Sequence, residues 1–283
     1  MSLSEREERI LGELERWEEN LYDHETNDLE NTYDKWIEST FSALPLEITE
    51  KIFKNLDGFL FHLHSLLQGS QMQNDARESI LSTARAFHED IETIEDLRYL
   101  AIDQLHYIAE QHAGRHRVYS FLQGGITGTG GFVALGSDFP AMAVLNLRSI
   151  QLISMSYGYD VQTPYEMMTS LKVFHVATLP KRLKGYGWEG LVEDLNQNEK
   201  YFFDGQETFT DYSWLEGPLK QLTKGVAISL FRKKKWSGLP LLSMAIGAGA
   251  NYQLSRKVTD FAERYYQYRY LNEKKELLNQ STD

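Results

Sequence analysis

The order of apolar and polar positions along the chain predicts a series of helices and gives no alternating pattern typical of strands. Residues 3–22 form an amphipathic pattern, with apolar positions at steps of three and four. The same spacing predicts helices over residues 47–68, 75–112 and 163–178. Two further helices are predicted over residues 218–235 and, after Pro240, through the aromatic tail that ends near residue 271. The fold class that follows is all-α, a multi-helix bundle.

The middle of the chain departs from this pattern because glycine is concentrated within apolar sequence. Residues 124–131 contain five glycines, and no charged residue lies between Arg117 and Asp138. A second uncharged run, rich in glycine and alanine, occupies residues 236–255. Glycine permits close approach because it has no Cβ. We therefore expect a Gly-rich apolar helical hairpin packed in the centre of the bundle. Contact of these runs with a bilayer is the alternative.

One nearly apolar helix is predicted directly after the first glycine run. Asp138 precedes Phe139-Pro140, and this order is typical of an N-cap followed by a proline in the first turn. The apolar positions that follow cover more than one face, and Gly158 is positioned to end the helix near Tyr157. Arg148 is the one charge within this segment. If buried it requires a partner, for which Asp160 is a candidate.

We divide the chain into two regions. Residues 1–45 are an acidic amphipathic helical region, and residues 46–283 are a helical domain with a less regular segment at about 179–217.

Composition and charge restrict the function classes. The chain has 283 residues, no cysteine and a net charge of −12. These values argue against disulfides, Cys-ligated zinc and general nucleic-acid binding. The charge is unevenly distributed, since residues 1–50 hold 15 acids and 4 bases, whereas residues 217–259 hold 8 bases and no acid. The polar N-terminus has no signal-peptide character, so we expect a cytoplasmic protein.

The basic segment contains a cluster with membrane-binding character. Its residues are Arg232, Lys233, Lys234, Lys235 and Trp236. Basic residues attract anionic lipid, and tryptophan favours the headgroup level of a membrane. A solvated helix end is the alternative interpretation.

Other motifs give no established chemistry. The glycine run lacks the Lys-Ser/Thr of a phosphate-binding loop and the third glycine of a dinucleotide fold. His106 and Glu110, and likewise His112 and His116, have helical metal-ligand spacing, but four convergent ligands are not visible. We predict no cofactor and no metal.

Several of these elements, in this order, resemble the EcsC family. The matching residues are Thr127, Gly128, Gly130 and Gly131, then Asp138 and Pro140, then Arg148, then Tyr157, Gly158 and Asp160. Residues 247–251 and Tyr268-Arg269-Tyr270-Leu271 also resemble the family's C-terminal pattern. The resemblance implies a bacterial accessory protein linked to an ABC transporter and protein secretion, and it supplies no catalytic residues.

Three functional hypotheses follow. The first is a non-catalytic protein, peripheral to the inner face of the cell membrane, that binds an anionic membrane surface or ABC transporter subunits. The second is an enzyme or binding protein for a lipid-like ligand, with Asp138, Arg148 and Asp160 near the site. The third is an interaction module that uses the acidic N-terminal helix.

Overall fold

The computed structural model describes residues 3–22, 71–127, 131–179, 181–196 and 240–280. Every regular element in these ranges is a helix, which confirms the predicted all-α class. The elements are α1 (Glu5–Tyr22), α2 (Gln71–Arg85), a short 3₁₀ helix (Glu95–Tyr99), α3 (Ile102–Thr127), α4 (Gly131–Ser156), α5 (Pro164–Thr178), α6 (Lys181–Asn196) and α7 (Pro240–Gln280).

The core is built around α3, α4 and α7, which contact one another. Helix α5 packs on α4 and α7, and α2 packs on α3 and α4. Helices α1 and α6 contact each other, with α1 also against α7 and α6 against α5. Their contact centres on the fully buried Trp188, whose ring lies 5.0 Å from that of Trp17 and 5.9 Å from that of Phe261. These edge-to-face contacts bury large apolar areas and fix ring orientations.

Local sequence explains where α4 and α5 end and begin. Helix α4 ends as predicted at Gly158, which has a φ of +83°. The Gly158 N–H donates to the Met155 carbonyl and the Tyr159 N–H to the Ser154 carbonyl, which together form a Schellman cap. Helix α5 begins after Thr163, whose hydroxyl accepts a hydrogen bond from the Glu166 N–H, with Pro164 in the first turn.

The predicted long helix over 75–112 is wrong, because the chain leaves α2 at Arg85 and re-enters an α-helix only at Ile102. Between them, the Asp96 carboxylate accepts hydrogen bonds from the Glu92 and Thr93 N–H groups. The buried residues Ile91, Ile94, Leu97 and Leu100 recur at a strict step of three. That step matches a 3₁₀ helix rather than an α-helix.

Three other expectations change. Helix α4 begins at Gly131, so Asp138 lies inside it rather than at its N-cap, and Pro140 lies further along. The segment at about 179–217, predicted to be less regular, is helical over Lys181–Asn196. The C-terminal helix is longer than predicted and extends to Gln280.

Several predictions lie outside the described residues. They are the helices over 47–68 and 218–235, and the basic cluster at 232–236. Within the described ranges, none of the helices combines the length and apolar character that crossing a bilayer requires.

Candidate functional site

The residues around Tyr157-Gly158-Tyr159-Asp160 form the most highly connected polar site in the described part of the chain. These residues lie in the α4–α5 corner (residues 157–163), where the Schellman cap reverses the chain. A Cβ on Gly158 would lie 2.5 Å from Arg98 Cγ. Glycine therefore permits both the positive φ and the close approach of the segment before α3.

Five side chains converge on this corner, and we call them the corner cluster: Arg98, Tyr159, Glu166, Arg269 and Glu273. The guanidinium carbon of Arg269 lies 3.8 Å from the centre of the Tyr159 ring, and that of Arg98 lies 4.5 Å from it. The Tyr159 hydroxyl donates to Glu273 at 3.1 Å. The cluster thus joins the corner to α7 and to the 3₁₀ helix.

Its centre is a buried ion pair between α5 and α7. Arg269 donates two hydrogen bonds to the Glu166 carboxylate, at 2.9 and 2.7 Å, and a third to Glu273 at 2.9 Å. The side chains of Arg269 and Glu166 are 5% and 8% exposed. Burial lowers the pKa of Arg269, but the Glu166 carboxylate opposes this effect and the pKa lies well above its usual value. Arg269 therefore keeps its charge in the interior, whereas burial raises the pKa of Glu166 and Arg269 opposes that rise.

The positive and negative charges of the corner cluster balance each other. Arg98 lies 3.6 Å from Glu273, so two guanidinium groups face two carboxylates. Burial raises the pKa of the Tyr159 hydroxyl, and Glu273 raises it further, so this phenol stays protonated and acts as a donor. The arrangement can therefore stabilise the helices it joins without an external ion.

The remaining acid of the motif, Asp160, points to a different helix from the one expected. Its carboxylate accepts a hydrogen bond from Arg77 of α2 at 2.6 Å and another from the Gln162 N–H at 3.0 Å. Arg148 is therefore not its partner, and that candidate pairing is wrong. Arg148 is half-buried on α4, where burial lowers its pKa and Asp75 acts in the opposite direction.

The other predicted site residues are placed only by the backbone or not at all. Thr127 is the last residue of α3, and Gly131 is the first of α4. Asp138 and Pro140 lie within α4, although their side chains are outside the described part. Gly128, Gly130 and the cluster Arg232, Lys233, Lys234, Lys235 and Trp236 lie outside the described residues.

The histidines considered as metal ligands have other surroundings. His106 of α3 contacts Glu263 of α7, and this hydrogen bond raises the His106 pKa. Glu110 accepts a hydrogen bond from Arg117. Burial lowers the pKa of His112 to about 4. No group of three or more potential metal ligands occurs within the described ranges.

Sequence reasoning missed Arg98, Glu166 and Glu273. Each belongs to an ordinary amphipathic or loop segment, and nothing local distinguishes it from a solvated charge. Arg269 had a usable signal, since it interrupts the aromatic run of residues 265–270, where a charge facing the core requires a partner.

The model of the EcsC protein family matches residues 8–271. The chain is also similar to the uncharacterized protein YdbA of Bacillus subtilis (strain 168), with 24% identity over 271 residues, which cover 93% of this chain and 92% of the relative. No solved structure matches the chain.

Proposed function

The chain belongs to the EcsC protein family, and from that premise we propose that it is a non-catalytic accessory protein that binds the anionic inner surface of the cell membrane. The carrying observation is the segregation of charge. Residues 217–259, which we call the basic run, hold 8 bases and no acid in a chain of net charge −12. Each basic residue near an anionic surface contributes about 1 kcal/mol of attraction.

The charge distribution also indicates which part of the chain faces the membrane. Residues 1–50 hold 15 acids and 4 bases, so an anionic membrane repels this end of the chain. On α1 the exposed positions include Glu5, Glu8, Glu15 and Glu19. We infer that the protein attaches by the basic run and keeps α1 directed toward solvent or a partner.

The anchoring of α7 supports this role. The basic run continues along the chain into α7, and the later part of α7 is fixed by buried Val258, Phe261 and Tyr265 and by the ion pair of Arg269 with Glu166. A displacement of the membrane-bound end of α7 would therefore move the helices of the core with it. The uncharged residues 236–255 are the segment that would contact lipid or a partner helix.

The corner cluster supports a scaffold rather than a reaction centre. Arg98, Arg269, Glu166, Glu273, Tyr159 and Asp160 all take their partners from within the protein. We infer that these residues, of which Asp160 and Arg269 belong to the motifs that resemble the family, stabilise the fold. From the family resemblance we also propose that the membrane partner is an ABC transporter linked to protein secretion.

Co-sedimentation with vesicles tests this proposal. We expect the protein to sediment with phosphatidylcholine vesicles that contain phosphatidylglycerol and to stay in solution with phosphatidylcholine alone. The triple variant Lys233→Glu/Lys234→Glu/Lys235→Glu should lower the partition coefficient about a hundredfold.

A matched control separates the basic run from total charge. The variant Arg9→Glu/Arg115→Glu/Lys275→Glu changes the net charge by the same amount at exposed positions outside the run. It should sediment nearly as well as the wild type. Equal losses in both triple variants would overturn a role specific to the basic run, and equal binding to neutral vesicles would overturn the electrostatic attachment.

A further inference from the structure

The connection between α2 and α3 (residues 86–101) carries exposed side chains that the corner cluster does not use. Every third residue from Ile91 to Leu100 is buried, so the residues between these positions face outward. Acids prevail among them, because residues 86–101 hold five acids, one arginine and no lysine. The arginine is Arg98, whose guanidinium is directed to Gly158 and Glu273. The outward side of this connection is therefore acidic.

Three of these acids are exposed and have no cationic partner. Glu89, Glu92 and Glu95 enter no ion pair within the described ranges of the chain. They lie three residues apart, in step with the buried positions, so they project from the same side of the connection. Like charges side by side repel one another, and a bound cationic group relieves this repulsion.

Aromatic side chains are exposed close to these acids in the sequence. Phe87 and Tyr107 of α3 are both exposed, and their ring centres lie 5.8 Å apart in an edge-to-face contact. Tyr99, near the end of the connection, is 87% exposed. Exposed apolar groups that contact one another are typical of interaction surfaces, and an exposed ring attracts a lysine or arginine to its face. We call the residues of this region the acidic surface: Phe87, Glu89, Glu92, Glu95, Tyr99 and Tyr107.

We propose that the acidic surface binds the basic run of a second copy of this chain. The basic run holds 8 bases and no acid, and Trp236 directly follows its cluster of four consecutive bases. It thus offers both the charge and the aromatic side chain that suit the acidic surface. A single chain leaves Phe87, Tyr99 and Tyr107 exposed, so the segment that covers them comes from another molecule. Because the two surfaces differ, the contact is head-to-tail and can add further copies.

Sedimentation velocity at about 0.1 M salt tests the self-association. The Debye length is then about 10 Å, so screening removes most of the repulsion between copies of net charge −12, whereas contacts between the paired surfaces persist. We expect the sedimentation coefficient to rise with protein concentration, and we expect this rise to disappear at about 1 M salt. A sedimentation coefficient that does not rise with concentration at the lower salt would overturn the proposal.

An exchange of charge tests the pairing of the two surfaces. The lysine variant is Glu89→Lys/Glu92→Lys/Glu95→Lys, and the glutamate variant is Lys233→Glu/Lys234→Glu/Lys235→Glu. Each should raise the dissociation constant of self-association at least about tenfold, because like charges then meet. An equal mixture should associate again, since the basic run of the lysine variant meets the unchanged acidic surface of the glutamate variant. Recovery in the mixture also shows that both variants fold.

Two results of the exchange would contradict the pairing. One is a mixture that does not recover association, and the other is undiminished self-association of either variant alone.

A matched control places the same charge reversal on another acidic element. Helix α1 exposes Glu8, Glu15 and Glu19, but three arginines lie among its acids. The variant Glu8→Lys/Glu15→Lys/Glu19→Lys should therefore associate nearly as well as the wild type. A loss as large as that of the lysine variant would show that the acidic surface has no specific role.

The aromatic part of the surface is tested separately. Tyr99→Ala should raise the dissociation constant about two- to fivefold, because it removes an exposed ring that attracts a cation. Tyr186→Ala, at an exposed position of α6, should leave it unchanged. Equal dissociation constants for these two variants would exclude Tyr99 from the contact.

Vesicle binding separates this inference from the membrane proposal. The lysine variant keeps its basic run, so it should bind phosphatidylglycerol-containing vesicles at least as well as the wild type. A wild type that self-associates but binds no vesicles would contradict only the membrane proposal. A wild type that binds vesicles but stays monomeric in solution would contradict only the self-association.

Discussion

In the α4–α5 corner, the residue type that a position accepts depends on its backbone dihedral angles and on contacts with residues distant in sequence. Gly158 has a φ of +83° and lies against Arg98. Its end-of-helix position was predictable from the sequence, whereas the contact with a residue 60 positions away was not.

Gly158→Ala should destabilise the protein by about 1–3 kcal/mol, because alanine would be strained at this φ and would collide with Arg98. Gly190→Ala is the control, since a Cβ there meets nothing within 4 Å and alanine favours a helix by about 1 kcal/mol. Urea unfolding measures both. Equal stability of Gly158→Ala and the wild type would contradict the account of the corner.

A buried histidine, His112, and a half-buried one, His175, make stability depend on pH. Burial lowers the pKa of His112 and of His175 to about 4, from an ordinary value of 6.5. Between these values the unfolded chain binds more protons than the folded protein, so stability falls as the pH falls from 6.5 toward 4.

We expect each histidine to contribute roughly 2–3 kcal/mol to this fall. His112→Gln should flatten the plot of unfolding free energy against pH over that window. His88→Gln, whose side chain is 60% exposed in the wild type, should leave the plot unchanged. A slope that His112→Gln does not alter would show that His112 titrates normally in the folded protein.

At the scale of elements, the sequence predicts a helix best where one apolar face and a cap agree. The amphipathic pattern of α1 and the Thr163-Pro164 start of α5 are such cases, and both predictions are confirmed. The helix predicted over 75–112 failed because apolar residues at steps of three were counted as part of an α-helical face.

Helix α6 was missed for a different reason. Gly185, Gly187 and Gly190 lower its intrinsic helix propensity. Two of them are explained by packing, since a Cβ on Gly185 would lie 2.8 Å from the Tyr22 ring and one on Gly187 2.7 Å from Val176. Tertiary contact therefore stabilises a helix that local propensity disfavours.

Glu166 of α5 and Arg269 of α7 connect these two helices through a buried ion pair. Arg269→Met alone should cost about 3–5 kcal/mol, because it leaves the Glu166 carboxylate buried without its partner, whereas Glu166→Leu should cost less, because Arg269 keeps its hydrogen bond to Glu273. The double variant should recover most of that loss. Lys172→Met, which breaks the half-exposed pair with Asp194, should cost no more than about 1 kcal/mol.

A double-mutant cycle from urea unfolding measures the coupling between Glu166 and Arg269. Losses that simply add in the double variant would contradict an interior ion pair whose two charges depend on each other.

At the scale of the whole molecule, the fold class could be predicted from periodicity and the family from a few ordered motifs. The side chains that contact those motifs could not be predicted, because Arg77, Arg98 and Arg269 reach the corner from three separate segments. The charge separation that carries the proposed function is a property of the sequence itself. Its effect is therefore measurable on the intact chain.

The salt dependence of binding to phosphatidylglycerol-containing vesicles tests the central claim most directly, because screening weakens exposed charge attraction as salt rises. Our account predicts tight binding at low salt and a steep loss as salt increases, with a shallower dependence for the Lys233→Glu/Lys234→Glu/Lys235→Glu variant. Binding that is unchanged by salt, or the same steep dependence in that variant, would contradict attachment through the basic run.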